Sequence, residues 1–271
     1  MIVDISFFQV TVLGAIQGLT EFLPISSSAH LQLPRVLLNW KDQGLTFDVA
    51  LHLGSLLAVL IYLKDDIANL VKAFFTRIIS KKNSTDADLA LSLIIASVPG
   101  AATGFLLNNF VDQYARSIEI LAIFTLVFAL VLLYADKKGS RDRSLKQLTW
   151  MDASYIGLAQ VIALIPGVSR SGVTMSAALL LGYNRKSAAK FSFLLSIPII
   201  LGSNALRSYD LYSLQLDSLD FLVLFYGMIV SGVVAYTCIH YFLALVERFG
   251  FLPFVVYRIF LSITLFSISL I

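Results

Sequence analysis

Gln17-Gly18-Leu19-Thr20-Glu21-Phe22-Leu23-Pro24-Ile25-Ser26-Ser27-Ser28-Ala29-His30 is a polar, proline-broken passage in an otherwise apolar run. Between Ile5 and Arg35 the only ionisable side chains are Glu21 and His30. Ionisable groups at membrane depth are costly, and they commonly mark function. Gln17 and Glu21 stand four residues apart, so a helix stacks them on one face. Pro24 removes a backbone donor and disfavours helix at Leu23, so the helix is expected to stop before a serine-rich turn. The hydroxyls and freed amides of such a turn suit an anion. A kinked packing helix with a serine interface is the plainer alternative; it accounts for the serines but not for Glu21 and His30.

Composition sets the surroundings. The chain has 271 residues, 58% of them apolar and only 14% charged, with a mean hydropathy of +0.84. A soluble globule carries about a quarter charged residues, so an all-α polytopic membrane protein is expected, with residues 1–271 as a single domain. No basic segment precedes the first apolar run, so a cleaved leader is not expected. The lone Cys238 excludes an internal disulfide and any cysteine metal cluster. The net charge of +3 is spread over short loops, so no nucleic-acid partner is expected.

Apolar segments at 5–22, 29–39, 48–63, 89–107, 118–135, 153–165, 172–182, 188–206, 220–243 and 251–271 read as helices. Spanning a bilayer takes about 20 helical residues, which 153–165 and 172–182 lack. They read as arms of a re-entrant hairpin, and the pair 5–22 and 29–39 reads likewise. About six transmembrane helices remain. The connectors 64–88, 136–150 and 183–190, with Arg248, hold fourteen of the twenty basic residues and are expected to be cytoplasmic. The connectors 31–46, 108–117 and 207–219 are expected to face outward. Counting crossings, the two hairpins enter from opposite faces, as an inverted-topology repeat requires. Internal sequence similarity is faint, with Leu23-Pro24-Ile25-Ser26-Ser27-Ser28 set against Ile165-Pro166-Gly167-Val168-Ser169-Arg170-Ser171. Thr85 with Asp88 reads as a capping box, and Ser187 as the cap of the helix near Ala188.

The second tip, Pro166-Gly167-Val168-Ser169-Arg170-Ser171-Gly172-Val173-Thr174, carries in Arg170 the only charged side chain from Ala153 to Asn184. A guanidinium fork matches phosphate oxygens, and Ser169, Ser171, Thr174 and, from the first tip, Ser28 add hydroxyls. A buried Arg170–Glu21 pair that pins the hairpins is the structural alternative, and both readings can hold. Together the tips form an inventory for phosphate-ester or anhydride chemistry on an amphiphile. Arg170 would neutralise phosphoryl oxygens, His30 or a metal-bound water would manage protons, and Ser26 or Ser27 would be nucleophile or donor. Glu21 and Gln17 offer hard oxygens suited to Mg²⁺ or Ca²⁺. His52 could line the site, but a histidine alone on an apolar helix reads first as an interhelical hydrogen bonder; His240 and Cys238 read as packing, and Arg258 as structural support.

These motifs, with Phe191-Ser192-Phe193-Leu194-Leu195 and Pro253-Phe254-x-x-Tyr257-Arg258, resemble the undecaprenyl-diphosphate phosphatases of the bacitracin-resistance family over essentially the whole chain. The resemblance implies hydrolysis of undecaprenyl diphosphate to the monophosphate and phosphate, which recycles the lipid carrier of envelope polymers. It implies a metal-dependent enzyme of the bacterial inner membrane, its site open to the periplasm, using Glu21, Ser27, His30 and Arg170. Gln17 stands where the family takes Glu or Gln, Ser28-Ala29 replaces a common Thr-Gly, and Lys190 replaces a frequent acid. A homodimer is left open. The chain does not resemble the type-2 phosphatidic acid phosphatases, whose histidine six residues after the arginine is here Ser176. The competing function is a transporter or flippase of an anionic prenyl-phosphate lipid, because inverted repeats with broken helices are also a transporter architecture.

Overall fold

The computed structural model describes residues 5–107, 117–212 and 218–270. Eleven helices run through these residues: α1 Phe7–Thr20, α2 Ser27–Leu38, α3 Leu45–Tyr62, α4 Lys64–Ser80, α5 Thr85–Leu106, α6 Ile118–Lys138, α7 Trp150–Val161, α8 Arg170–Leu180, α9 Arg185–Tyr212, α10 Ser218–Phe249 and α11 Leu252–Ser269. The only β pairing among them is an isolated bridge between Arg143 and Tyr183. Five helices are long and apolar enough to cross a membrane, and a sixth span results if α3 and α4, bent by 78°, count together. This is a multi-pass membrane protein. Of the outward connectors expected, 108–116 lies outside the described residues; within 207–219, residues 207–212 continue α9 and 218–219 open α10, while 213–217 lie outside the described residues.

Both hairpins are present. Helices α1 and α2 break around Pro24, and α7 and α8 break around Pro166 and Gly167, the latter at φ +92°. At 12 and 11 residues, α7 and α8 reach only about 18 and 17 Å, too short to span. The two halves pack in matching ways: α1 lies on α10 as α7 lies on α5, while α6 meets α11 and α3 meets α9 across the repeat. Close approach needs small residues at equivalent places. A Cβ on Gly14 would meet Val230 of α10 at 3.1 Å, and one on Gly157 would meet the Ala96 carbonyl of α5 at 2.6 Å.

Local chemistry corrects several boundaries. The connector 64–88 contains α4, whose polar side carries Lys64, Asp65, Asp66 and Lys72 while Val71, Phe75, Ile78 and Ile79 are exposed. A helix with one charged and one exposed apolar side lies in a membrane interface. The cap of α5 is Ser84, which accepts from the Ala87 amide, rather than Thr85. Helix α9 begins at Arg185, and Asn184 Oδ1 accepts from the Ser187 amide, so Ser187 is inside the first turn and does not cap it.

At the basic end, carboxylates staple the helices. Asp136 of α6 takes a two-pronged contact from Arg185 (2.6 and 2.9 Å) and the Phe251 amide at 3.2 Å. Asp152 of α7 binds Arg143 through both oxygens (3.2 and 2.6 Å), the Thr149 hydroxyl at 2.7 Å and the Tyr183 hydroxyl at 2.8 Å. Burial alone would raise the Asp152 carboxyl. The donors from Arg143, Thr149 and Tyr183 outweigh burial and bring it down to about 2.

Candidate active site

The two hairpin tips meet. At a constant offset of 143 residues, Gly14 matches Gly157, Gln17 matches Gln160, Ser26 matches Ser169 and Ser28 matches Ser171. The backbone repeats with the sequence: Ser26 and Ser169 sit at φ 72° and 71°, each immediately before a helix. Each first serine also bonds the second across the intervening residue, Ser26 to Ser28 at 3.1 Å and Ser169 to Ser171 at 3.2 Å. The intervening residue is Ser27 in one tip and Arg170 in the other. These two chemically distinct residues therefore occupy equivalent first helical positions.

A cavity of about 250 Å³ lies between the tips, lined by Glu21, Ser26, Ser27, Ser28, Ser169, Arg170 and Ser171 among the expected residues. Glu21 is its centre. Its Oε1 receives Arg170 Nη2 at 2.8 Å; its Oε2 receives Ser27 Oγ at 3.1 Å and Gln17 Nε2 at 2.9 Å. The Arg170 pair links the hairpins, so the structural alternative is realised within the site itself. The N-termini of α2 and α8 both open at the lining serines, presenting free amides and the positive ends of two helix dipoles.

Three expected residues stand behind the cavity wall. Gln17 holds Glu21, and its own Oε1 is buried without a hydrogen-bond partner. Thr174 bonds the Arg170 carbonyl at 2.9 Å and Ser192 Oγ at 2.8 Å, supporting α8 instead of facing the cavity. His30 has both nitrogens engaged, Nδ1 with the Ser26 carbonyl at 2.7 Å and Nε2 with Tyr257 Oη at 2.6 Å, and its ring stacks on Tyr257. A carbonyl only accepts, so Nδ1 carries the proton and neutral Nε2 accepts from Tyr257.

Three further residues belong to the site. His52 lines the cavity, its Nε2 3.6 Å from Glu21 Oε2, while its Nδ1 is committed to the Asp48 carbonyl at 2.7 Å. It is therefore the histidine whose free nitrogen faces the carboxylate. Gln160 lines the cavity and, like its repeat partner Gln17, has a buried Oε1 without a partner. Arg258 is fully buried and donates to carbonyls of both tips: Pro24 at 3.1 Å, Gly167 at 2.8 Å and Val168 at 3.1 Å, and also to Thr125 at 3.1 Å. Pro24 and Gly167 are themselves equivalent at the 143-residue offset, so one guanidinium bridges the repeat. The signal for Gln160 was the offset from Gln17; for His52 the sequence held none beyond its neighbourhood.

No group of three His, Cys, Asp or Glu side chains converges to hold a metal ion among the described residues. What the site offers a cation is oxygen from Glu21 and the unpartnered Gln17 Oε1. Two protein oxygens completed by water and substrate phosphate is the way Mg²⁺ is usually held, so the donor set fits.

Comparison with known proteins agrees with this architecture. The family profile described as "Bacitracin resistance protein BacA" matches residues 10–264. The chain is similar to the protein named undecaprenyl-diphosphatase of Alteromonas mediterranea, at 49% identity over 260 residues, covering 96% of this chain and 97% of that one. It is 49% identical over 256 residues to the undecaprenyl-diphosphatase of Saccharophagus degradans, covering 94% and 96%. It is 46% identical over 260 residues to undecaprenyl-diphosphatase 1 of Pseudoalteromonas translucida, covering 96% and 97%. With the paired hairpin tips present and the match running from the first helix to the last, the chain belongs to the BacA bacitracin-resistance family.

Proposed function

We propose that this chain hydrolyses undecaprenyl diphosphate to undecaprenyl phosphate and inorganic phosphate, recycling the lipid carrier for peptidoglycan and other envelope polymers and conferring bacitracin resistance. The observation that carries it is the meeting at Glu21 of Arg170, Ser27 and His52 in a cavity between two helix N-termini. A binding protein needs the cation alone. An enzyme also needs a nucleophile beside a base, which Ser27 and Glu21 provide.

The terminal phosphoryl oxygens replace Glu21 as the ligand of Arg170, which neutralises them together with the amides opening α2 and α8. Glu21 Oε2 takes the proton of Ser27 Oγ, Oγ bonds to the terminal phosphorus, and the bond from that phosphorus to the bridging oxygen breaks. Undecaprenyl phosphate leaves. Once His52 has taken that proton from Glu21, water attacks the phosphoserine and gives its proton to Glu21, which passes it to Oγ as phosphate leaves. His52 Nε2, facing Glu21, relays the proton to solvent. His30 acts through Ser26, fixing its carbonyl. Gln17 and Glu21 would hold Mg²⁺ or Ca²⁺, which when bound would offset the charge of the diphosphate. We place the protein in the bacterial inner membrane, the cavity open to the periplasm, since the basic connectors favour the cytoplasm.

Phosphate release from undecaprenyl diphosphate by purified protein, with Mg²⁺ or Ca²⁺ against chelator, tests the reading. Glu21→Ala and Arg170→Ala are expected to lower kcat/KM at least about a hundredfold with folding intact. Folded wild type that releases no phosphate with either metal would overturn the enzyme and leave a carrier of anionic lipid.

A further inference from the structure

A second cavity, sharing no lining residue with the first, lies at the basic end of the molecule. It measures about 330 Å³, and its charged lining is Lys146, Lys186 and Lys190 with Asp66 and Asp86. Hydroxyls of Thr85, Ser144 and Ser187 add to the wall. Directly beside it runs an apolar groove of about 240 Å³ between α4, α5 and α9, lined from Ile67 and Phe74 to Ile94 and Pro198 without a charged residue. Leu70 and Leu194 line both. The two cavities therefore share a wall, one polar and one apolar.

The direction of the groove follows from the helices. Lys190 and Pro198 are eight residues apart on α9, so the groove runs about 12 Å into the bilayer from the lysines. Exposed Val71, Phe75 and Ile94 line it, so it opens sideways toward lipid chains. Pro198 has no N–H for the Leu194 carbonyl, which loosens the helix where the two cavities join.

Charge selects the head. Lys190 and Asp66 neutralise each other at 2.6 Å. That leaves Lys146 and Lys186 on one side of the balance and Asp86 on the other. Among the carboxylates of the described residues Lys186 meets the exposed Glu247, at 3.0 Å, a pair that solvent screens. No carboxylate lies within ion-pair distance of Lys146 or ammonium of Asp86 among the described residues. A wholly anionic head would satisfy the lysines and be repelled by Asp86. A head carrying phosphate and ammonium together satisfies both. From this juxtaposition of a two-signed polar pocket and an apolar groove we propose a binding site for a phospholipid with a zwitterionic aminoalkyl-phosphate head, its phosphate against Lys146 and Lys186, its ammonium against Asp86 and one chain in the groove. Basic pockets between helices on the cytoplasmic side are where lipid heads are held in other membrane proteins. The site is independent of the hydrolytic reading, since no residue is shared with the catalytic cavity.

The test is native mass spectrometry of the full chain in detergent, titrated with didodecanoyl phosphatidylethanolamine, the matching phosphatidylglycerol and diacylglycerol, and inorganic phosphate. Phosphatidylethanolamine should bind at least about tenfold more tightly than the other two lipids, and inorganic phosphate should not displace it. The double variant Lys146→Gln/Lys186→Gln should weaken it at least about tenfold, Asp86→Asn should weaken it while leaving phosphatidylglycerol no weaker, and Ala90→Trp should fill the groove and weaken both phospholipids. Phosphatidylglycerol binding more tightly than phosphatidylethanolamine would overturn the zwitterionic assignment, and displacement by phosphate would reveal a simple anion site. Diacylglycerol binding equally well, or no effect of the lysine and Asp86 variants, would overturn the site; those polar substitutions decide it even if Ala90→Trp fails to fold.

Discussion

Arg258 works on backbone, and that sets what its replacement costs. It donates to carbonyls at both hairpin tips and on α6 rather than to a carboxylate. Lysine keeps the charge but has three donors on one atom, so it cannot span carbonyls belonging to three segments. Each buried carbonyl left unpaired costs about 1–3 kcal/mol, so Arg258→Lys is expected to lose about 3 kcal/mol or more. A large fall in the thermal midpoint in detergent, with phosphate release lost in parallel, is the expected result; an unchanged midpoint would show that the tips hold together without it. His52 calls for a different pair of substitutions. His52→Gln keeps a hydrogen bond to Glu21 but cannot carry a proton, whereas His52→Ala keeps neither. If the ring relays the proton, both variants lose about tenfold to a hundredfold in kcat. Recovery of wild-type kcat by His52→Gln would reduce the histidine to holding Glu21 in place.

Each hairpin element ends in a serine that pays in backbone strain for the geometry of its tip. A serine near φ 70° costs about 1–3 kcal/mol, and glycine tolerates that conformation. Ser26→Gly is therefore expected to be more stable than Ser26→Ala by about 1 kcal/mol, while both lose activity with the hydroxyl; equal melting of the two would remove the strain argument. The other end of the second hairpin is governed by Asp152. Its carboxyl is brought below the ordinary value near 4, so the stabilisation is complete above about pH 4 and is lost as pH falls through about 2. Unfolding followed from pH 5 to pH 2 should steepen over that window in wild type and less so in Asp152→Asn. These elements also show what the sequence could and could not disclose. Glu21, Ser27 and Arg170 were legible because polar groups are costly in apolar runs and seldom sit there without a task. Helix α4 was hidden because its lysines and aspartates mimic a solvated connector, and only its apolar side shows that it lies on a membrane. His30 and His52 look alike in sequence, and each gives Nδ1 to the carbonyl four residues back; what separates them is that Tyr257, 227 positions from His30, occupies its Nε2.

For the whole molecule, the repeat explains why one cavity holds unlike residues. Two tips with the same backbone meet, and because they differ at one position, Ser27 against Arg170, their meeting brings a serine hydroxyl and a guanidinium to one carboxylate, Glu21. A symmetric pair would have given two arginines or two serines. The repeated packing of α1 on α10 and α7 on α5 gives the two halves a pseudo-two-fold relation, and counting crossings from the basic connectors would make the hairpins enter from opposite sides. The connector between α2 and α3 should then face the periplasm, and the turn at Leu145–Gln147 the cytoplasm. Single cysteines at Gln43 and at Gln147 test this in a Cys238→Ala background, with a membrane-impermeant maleimide added to intact cells. Gln43→Cys is expected to label directly and Gln147→Cys only after the membrane is opened. Labelling of Gln147→Cys in intact cells together with silence at Gln43→Cys would invert the molecule. Labelling of both from one side would contradict the inverted arrangement, because three spans, α3 with α4, α5 and α6, separate the two positions.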